Sequence, residues 1–336
     1  MKAIRTVDEK PTLSVVPIPK PGRNEIRIKV AGAGINRADL LQTQGKYPPP
    51  PDVTDILGLE VSGVVDAIGT LDPELHSHPC AIPGTQVMAL LQGGGYAQYV
   101  TVDLRLAYPV PSHLDLTDAA ALPEALATAY SNLVLAGGMR AGSRVLIHGG
   151  SGGVGTHAIQ LAKALGAQVF TTAGSASRVQ RLLDLGADHA IDYHELTEET
   201  QLAQWTREHT DDAGIDVVLD VMGGNGLDAN IRTLADGGKI VVIGTQGGTR
   251  PQFNLTRLMV KRGSIIGTTL RSRRLHERID VQQRVSRDVI PLVTEGKIKP
   301  VIERIYPFEQ VQDAHDALVR GEVFGKVLLQ APAEAE

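Results

Sequence analysis

The stretch Arg144-Val-Leu-Ile-His-Gly-Gly-Ser-Gly-Gly-Val-Gly155 sets an apolar run against a cluster of glycines and ends where helix-forming sequence begins. Arg144 to His148 reads as a strand, and Val154 to Leu165 has the apolar spacing of a helix closed by Gly166. Between them Gly150, Gly152 and Gly155 satisfy G-x-G-x-x-G. That spacing is weak evidence alone, but at a strand-to-helix turn it predicts a phosphate cradle. Gly150, Ser151, Gly152, Gly153, Val154 and Gly155 are the expected binding residues. The glycines permit the tight turn and let the main chain approach a pyrophosphate, while the helix N-terminus supplies N–H groups and positive dipole.

The alternation of strand and helix continues outward from this turn. A strand is expected over Ala167 to Thr172, a helix over Ser177 to Leu185 ending on Gly186, and a strand over His189 to Asp192. A helix from Thr200 to Glu208 follows, then strands Ile215 to Asp220, Lys239 to Ile243 and Gly263 to Gly267. Such alternation predicts a parallel sheet covered by helices on both faces. Residues 1 to 125 differ: short apolar runs alternate with charge and are broken by Pro and Gly, as in Glu25-Ile-Arg-Ile-Lys-Val30 and Gly95-Tyr-Ala-Gln-Tyr-Val100. That is a mostly β domain. Leu116 to Ala136 is Ala-rich and helix-compatible. After residue 270 come a charged helical stretch and two strand pieces, Ile302 to Tyr306 and Lys326 to Leu329, too few to stand alone. The expected domains are therefore residues 1–125 with 271–336, and an inserted domain over 126–270.

Composition excludes several classes. The 336 residues are 42% hydrophobic and 21% charged with a net charge of -5, so no global basic field exists to attract nucleic acid or an acidic membrane. The single cysteine, Cys80, rules out an internal disulfide framework. The start MKAIRTVDEK lacks a signal-peptide core and no apolar run reaches about 18 residues, which gives a cytoplasmic protein as the expectation. The tail Ala331-Pro-Ala-Glu-Ala-Glu336 is expected to fray.

The cradle implies a dinucleotide, and the second strand speaks to which. An NAD site places Asp or Glu about 20 residues beyond the glycines to bind both ribose hydroxyls. Here the sequence is Thr172-Ala-Gly-Ser-Ala-Ser-Arg178, with no acid to repel a 2'-phosphate. Gly174 and Ser175 can donate to that phosphate and Arg178 can pair with it, so NADPH is expected over NADH. Tyr193, after the third strand, is expected along the same edge.

Several motifs in order carry a resemblance over nearly the whole chain: Asn36-Arg-Ala-Asp-Leu40, Gln44-Gly-Lys-Tyr-Pro-Pro-Pro-Pro51, Leu57-Gly-Leu-Glu-Val-Ser-Gly63, Leu91-Gln-Gly-Gly-Gly95 and the glycine turn. The layout resembles the medium-chain dehydrogenase/reductases, a Rossmann doubly wound parallel sheet inserted in a β-rich GroES-like catalytic domain. The motifs resemble the zinc-independent quinone oxidoreductases related to zeta-crystallin, most of all the tumour-suppressor-inducible type. Zinc-dependent members carry Cys where Asn36 falls and Gly-His-Glu where Gly58-Leu59-Glu60 stands. The third ligand position falls near Glu124, and one carboxylate beside Asn and Leu is no zinc site, so no metal is expected. Glu60 then needs protein partners, for which Arg37 and nearby backbone are the candidates.

The resemblance implies substrate-binding roles for Asn36 and Tyr47, whose amide and phenol can hydrogen-bond a quinone oxygen. From the residues alone both also fit structural roles, Asn36 in its loop and Tyr47 as a cover over the proline run. For the cofactor the resemblance adds Thr128, Met222-Gly223, Gly244-Thr245, Thr268-Thr-Leu270 and Gly325-Lys326. The implied activity is NADPH-dependent reduction of a quinone, by hydride or by single electrons. Rival readings are an enone or enoyl double-bond reductase on the same fold, and a dinucleotide-regulated RNA-binding protein using local patches such as Arg271-Ser-Arg-Arg274. His76, His78 and Cys80 lie among Pro and Gly and read as a surface loop, while His148 and His157 read as packing. Family habit and the apolar Ser264-Ile-Ile266 at a sheet edge imply a homodimer or homotetramer.

Overall fold

In the strand Glu25–Gly34, Ile26, Ile28 and Val30 are buried while Arg27 and Lys29 point outward, the period-two pattern of a half-covered sheet. The structure is a computed structural model and describes residues 1–198 and 200–332. The expected frayed tail therefore lies, from residue 333 on, outside the described residues. The chain divides into two compact units, Met1–Ala127 with Leu270–Gly296 and Pro300–Glu336, and Thr128–Thr269 with Lys297–Lys299.

In the first unit Glu25–Gly34 is the hub of a seven-stranded sheet among the described residues. Antiparallel partners on one side are Glu60–Ile68, Gln86–Leu90 and Ala107–Pro109 in succession, and Tyr99–Asp103 also pairs with the hub. On its other side lies Lys326–Gln330, antiparallel to it, and then Ile302–Pro307, parallel to Lys326–Gln330. The chain's last strand thus pairs with a strand some 300 positions earlier in sequence, placing Lys326 two residues before the Leu328–Gly34 pair. Leu104, Phe308, Val327 and Leu329 fill the core beneath. A separate hairpin joins Lys2–Val7 to Lys10–Val15.

Among the described residues the second unit holds a six-stranded sheet, all parallel, in the order His189–Asp192, Gln168–Ala173, Arg144–Ile147, Ile215–Asp220, Leu234–Val242, Ser264–Gly267. Val145, Leu146 and Ile147 are fully buried in succession, as strands covered on both faces must be. Helices Gly153–Ala164 and Ala176–Asp184 end as expected, on Gly166 at φ +81° and Gly186 at φ +115°. The strand expected from Lys239 begins instead at Leu234, and its register on Ile215–Asp220 slips across Asp236-Gly237-Gly238, with Gly237 at φ +77°. Lys297–Lys299 joins this unit because Gln160 grips Lys299 at both ends, its amide N–H to the carbonyl at 3.0 Å and its oxygen to the N–H at 2.9 Å. The chain forms the α/β architecture read from the sequence, a Rossmann-type parallel sheet with a GroES-like β unit. Among the described residues no helix is long and apolar enough to cross a membrane.

The Ala-rich segment departs from a single helix. It runs as a 3₁₀ turn over Asp118–Ala121, an α-helix over Pro123–Tyr130 and a π-helical turn over Ser131–Ala136. The wide turn closes with the Gly137 N–H donating to Asn132 O at 2.8 Å.

Candidate active site

The strand Arg144–Ile147 delivers the glycine turn to the carboxyl edge of the parallel sheet, where such sheets bind ligands. Each glycine answers a different demand. A side chain on Gly150 would strike Thr171 Oγ1 at 2.0 Å, and one on Gly155 would strike the Gly149 carbonyl at 2.3 Å. At Gly152 a side chain would meet only the Gly149 carbonyl, in ordinary contact at 3.4 Å, so that position is not filled by packing. Gly152 is also the N-cap of Gly153–Ala164, whose first N–H groups have no helical acceptor. With Ser151, Gly153 and Val154 in the same turn, these residues fit a dinucleotide pyrophosphate.

At the end of the next strand, Ser175 caps helix Ala176–Asp184, its Oγ accepting the Arg178 N–H at 3.4 Å. A Cβ on Gly174 would lie 2.6 Å from the Tyr193 hydroxyl, so the phenol rests against the Gly174-Ser175 turn with half its surface exposed. Gly174, Ser175, Arg178 and Tyr193 thus share one corner. Asp220 sets the third loop: buried at the end of its strand, it accepts the Met222 N–H at 2.7 Å and the Gly223 N–H at 3.1 Å, with Gly223 at φ +61°. Gly244 packs against Val221, where a side chain would lie 2.7 Å from the Val221 carbonyl, and Thr245 follows it.

Sequence reasoning missed a link between two of its own candidates. Asn132, in the π-helical turn, donates from Nδ2 to Thr128 O at 2.7 Å and accepts the Thr268 hydroxyl on Oδ1. Thr128 and Thr268 are tied together by that one amide. A buried polar residue in an Ala-rich helix was the only signal. Thr269 closes this unit, and Leu270 opens the next segment of the β-rich unit. His148 is packed as expected, Nε2 against Asn230 Oδ1 at 2.6 Å and Nδ1 against Thr172 Oγ1 at 3.2 Å, and burial lowers its pKa. His157 is buried with Nδ1 on Gly153 O at 2.7 Å.

In the β-rich unit, Glu60 is completely buried and closely partnered. Its Oε1 meets the Lys326 ammonium and accepts from Asn36 Nδ2 at 2.9 Å, while its Oε2 accepts the Glu124 N–H at 2.8 Å. Lys326 in turn donates to Asn36 Oδ1 at 2.7 Å. Three expectations change here. Arg37 is exposed, and the cation on Glu60 comes from the last strand instead, because the pairing of Lys326–Gln330 with Glu25–Gly34 carries Lys326 into the interior. The resemblance put Lys326 at the cofactor, and it is 2% exposed with its ammonium engaged by Asn36 and Glu60. Asn36 has its amide oxygen on Lys326 and its amide nitrogen on Glu60, and it orders this cluster rather than offering a free donor to a substrate. Gly325 is demanded by packing: at φ +91°, a side chain there would meet the Val301 carbonyl at 2.3 Å.

The same cluster bears on metal binding through its donor chemistry. At the positions where the family's zinc ligands fall stand an amide, the aliphatic Leu59 and Glu124, and the neighbouring Glu60 already holds an ammonium. A dication set there would be repelled by Lys326, and this donor set does not fit zinc. Among the described residues no three His, Cys, Asp or Glu side chains are grouped to hold a metal. In the His76–Cys80 segment the Cys80 N–H donates to His78 Nδ1 at 3.2 Å, and burial pushes the Cys80 thiol up to about 12.

Beside the cluster, Asp39 is buried and accepts the Asn36 N–H at 2.8 Å, the Tyr96 hydroxyl at 3.0 Å and the Gly58 N–H at 3.2 Å. Burial raises its pKa to about 6, against the pull of those donors and of Lys326. Tyr47 is half-buried beyond helix Arg37–Thr43, and its phenol pKa is raised, chiefly by burial.

Residues 153–287 match the family of zinc-binding dehydrogenases, and residues 22–112 match the alcohol dehydrogenase GroES-like domain. The chain is 30% identical over 315 residues to the Homo sapiens protein named quinone oxidoreductase, covering 94% of this chain and 91% of that one. A mycobacterial structure complexed with NADPH is similar at a TM-score of 0.86 and 26% identity, over 98% of this chain and 100% of that one. An NAD-dependent alcohol dehydrogenase reaches 0.83 at 28% identity, over 99% and 100%. Fold and cradle together define a dinucleotide-binding oxidoreductase. The chain belongs to the medium-chain dehydrogenase/reductase family, in its quinone oxidoreductase branch.

Proposed function

We propose that this oxidoreductase is a metal-independent NADPH:quinone reductase. The observation that carries the reading is the Lys326–Glu60–Asn36 cluster, which puts an internal ammonium where zinc-dependent relatives use a metal. Reducing a ketone leaves an alkoxide that calls for a Lewis acid, whereas a reduced quinone oxygen resembles a phenol with a pKa of about 10. An acceptor of the second kind suits a site whose charges are already neutralised.

NADPH when bound supplies the reducing equivalents, as a hydride or as single electrons. The residues of the chain bind and orient. Gly150 to Gly155 take the pyrophosphate, and Ser175, Arg178 and Tyr193 take the 2'-phosphate. Support for NADPH over NADH comes from the absence of an acid in Thr172–Arg178. Met222, Gly223, Gly244, Thr245, Thr268 and Thr269 follow the remaining strand ends on which the dinucleotide lies, with Thr128 of helix Pro123–Tyr130 tied to Thr268 through Asn132. Tyr47 donates its phenolic proton in a hydrogen bond to the quinone oxygen, matching a group of similar pKa.

Self-association is part of the reading. Ser264–Gly267 is the edge strand of the parallel sheet, and helix Leu255–Val260 exposes Leu255, Met259 and Val260 at 59%, 67% and 69%. An edge flanked by that much apolar surface favours pairing with a second copy. RNA binding has less to stand on, since Arg271 of the basic patch is buried.

The test is NADPH and NADH oxidation measured side by side against benzoquinones, naphthoquinones and enones, with and without a chelator. Quinone turnover with NADPH, insensitive to the chelator, is expected. Equal or better kcat/KM with NADH overturns the cofactor choice, and faster turnover of enones makes the chain a double-bond reductase.

A further inference from the structure

Arg271 is 6% exposed, an unusual place for a guanidinium, and its donors reach three separate segments of the β-rich unit. Nε donates to Gln92 O at 2.7 Å and Nη2 to Gln42 Oε1 at 2.8 Å, while Gln92 returns a bond from its Nε2 to Arg271 O at 2.6 Å. The third segment is the Tyr47 loop. Nη1 points to Tyr47 O at 3.4 Å, and the guanidinium carbon lies 5.4 Å from the centre of the Tyr47 ring.

We infer that Arg271 is the positioning residue for Tyr47, holding the phenol where it meets the substrate oxygen. This rests on the reading of Tyr47 given above. The contacts are of two kinds that only a guanidinium combines: a planar fork that spans Gln42 and Gln92, and a cation over an aromatic ring. Tyr47 sits in Gln44-Gly-Lys-Tyr-Pro-Pro-Pro-Pro51, where Gly45 has φ +68° and a side chain on it would meet nothing within 4 Å. The prolines stiffen the loop beyond Tyr47, and the guanidinium over the ring holds it from outside the loop. Burying a guanidinium is costly, and of its contacts the one with the ring is the one that a neutral hydrogen-bond donor could not make. The ring therefore explains the choice of residue. The nearby cation also works against burial on the phenol's acidity, favouring release of its proton.

The experiment compares Tyr47→Phe, Arg271→Gln, Arg271→Lys and the double variant Arg271→Gln/Tyr47→Phe in quinone turnover, NADPH affinity by fluorescence titration, and ultraviolet tyrosinate titration. Arg271→Gln is expected to lower kcat by on the order of ten- to a hundredfold, with NADPH affinity unchanged and the tyrosinate step assigned to Tyr47 moved to higher pH. Arg271→Lys restores that step but little of the turnover. The double variant falls no further than Tyr47→Phe. Additive losses, or a Tyr47 titration indifferent to Arg271, would overturn the inference. Unchanged turnover in Tyr47→Phe removes the catalytic role of Tyr47, while the titration still reports whether Arg271 holds it. Should Arg271→Gln not fold, Gln42→Leu removes one prong and keeps the cation; it is expected to lower kcat without moving the tyrosinate step, and unchanged kcat counts against the inference.

Discussion

Lys326 and Glu60, 266 positions apart in sequence, form an ion pair sealed inside the β-rich unit, with Asn36 bridging the two. Removing one partner leaves the other charged and buried without its complement. Lys326→Met or Glu60→Leu alone is expected to cost about 3–5 kcal/mol, and the double variant Lys326→Met/Glu60→Leu to recover much of that. Denaturant unfolding of the four proteins reads the coupling directly. Equal and additive losses would mean that the pair is incidental.

The contrast between this pair and the glycine turn explains what the sequence could disclose. The turn, its flanking strand and its helix lie within about two dozen consecutive residues, so spacing and periodicity report them. The partner of Glu60 obeys no local period. Arg37 lay closer to it in sequence than Lys326, but strand pairing, which is long-range, put Lys326 there instead. The same limit hid Arg271, which read as one of several surface cations until its contacts with Gln42, Tyr47 and Gln92 were visible. Asn132 was hidden differently, because a π-helical turn carries no periodic signature. Composition and motif order conveyed the architecture; the wiring of the buried polar groups required the tertiary structure.

Gly155 of the cradle and Gly174 of the Tyr193 corner should respond differently to alanine. At Gly155 the new side chain meets main chain, the Gly149 carbonyl at 2.3 Å and Gly150 at 2.7 Å, so the turn itself must shift. At Gly174 it meets the half-exposed end of Tyr193, which can swing away. Gly155→Ala is expected to lower both Tm and dinucleotide binding, and Gly174→Ala to weaken NADPH binding severalfold with Tm unchanged. Thermal melts with and without NADPH separate the two. A Tm loss in Gly174→Ala equal to that in Gly155→Ala would contradict the assignment of Tyr193 as the yielding group.

Arg178 lies in the first turn of the helix capped by Ser175, at the corner shared with Tyr193. If it pairs with a 2'-phosphate, Arg178→Gln should raise KM for NADPH about tenfold or more, as loss of a charge-assisted contact worth about 1.5–3 kcal/mol implies. KM for NADH should hardly move. A uniform rise for both cofactors would mean that Arg178 supports the fold of the corner rather than the phosphate.

Asp39 and His315 sit at the two ends of Tyr96 and should pull stability in opposite directions with pH. The Tyr96 hydroxyl donates to Asp39, and its ring meets His315 at 6.2 Å between centroids. Burial raises Asp39 from 3.8 to about 6 and lowers His315 from 6.5 to about 4. Asp39 faces Lys326 as well as Tyr96, and His315 faces Asp316, but burial prevails at both. A carboxyl raised on folding stabilises fully below its unfolded pKa, and this contribution is lost as pH rises through about 6. An imidazole lowered on folding stabilises above its unfolded pKa, and this contribution is lost as pH falls through about 4. Each shift of roughly two units corresponds to about 3 kcal/mol, so across pH 4 to 6.5 the two slopes largely cancel. His315→Leu should therefore expose a decline in stability as pH rises from 4 to 6, relative to the parent, and Asp39→Asn a decline as pH falls from 6.5 to 4. Urea unfolding of each protein at several pH values across that window measures both slopes, and parallel curves for the two variants would show that neither group is held in its neutral form by the fold.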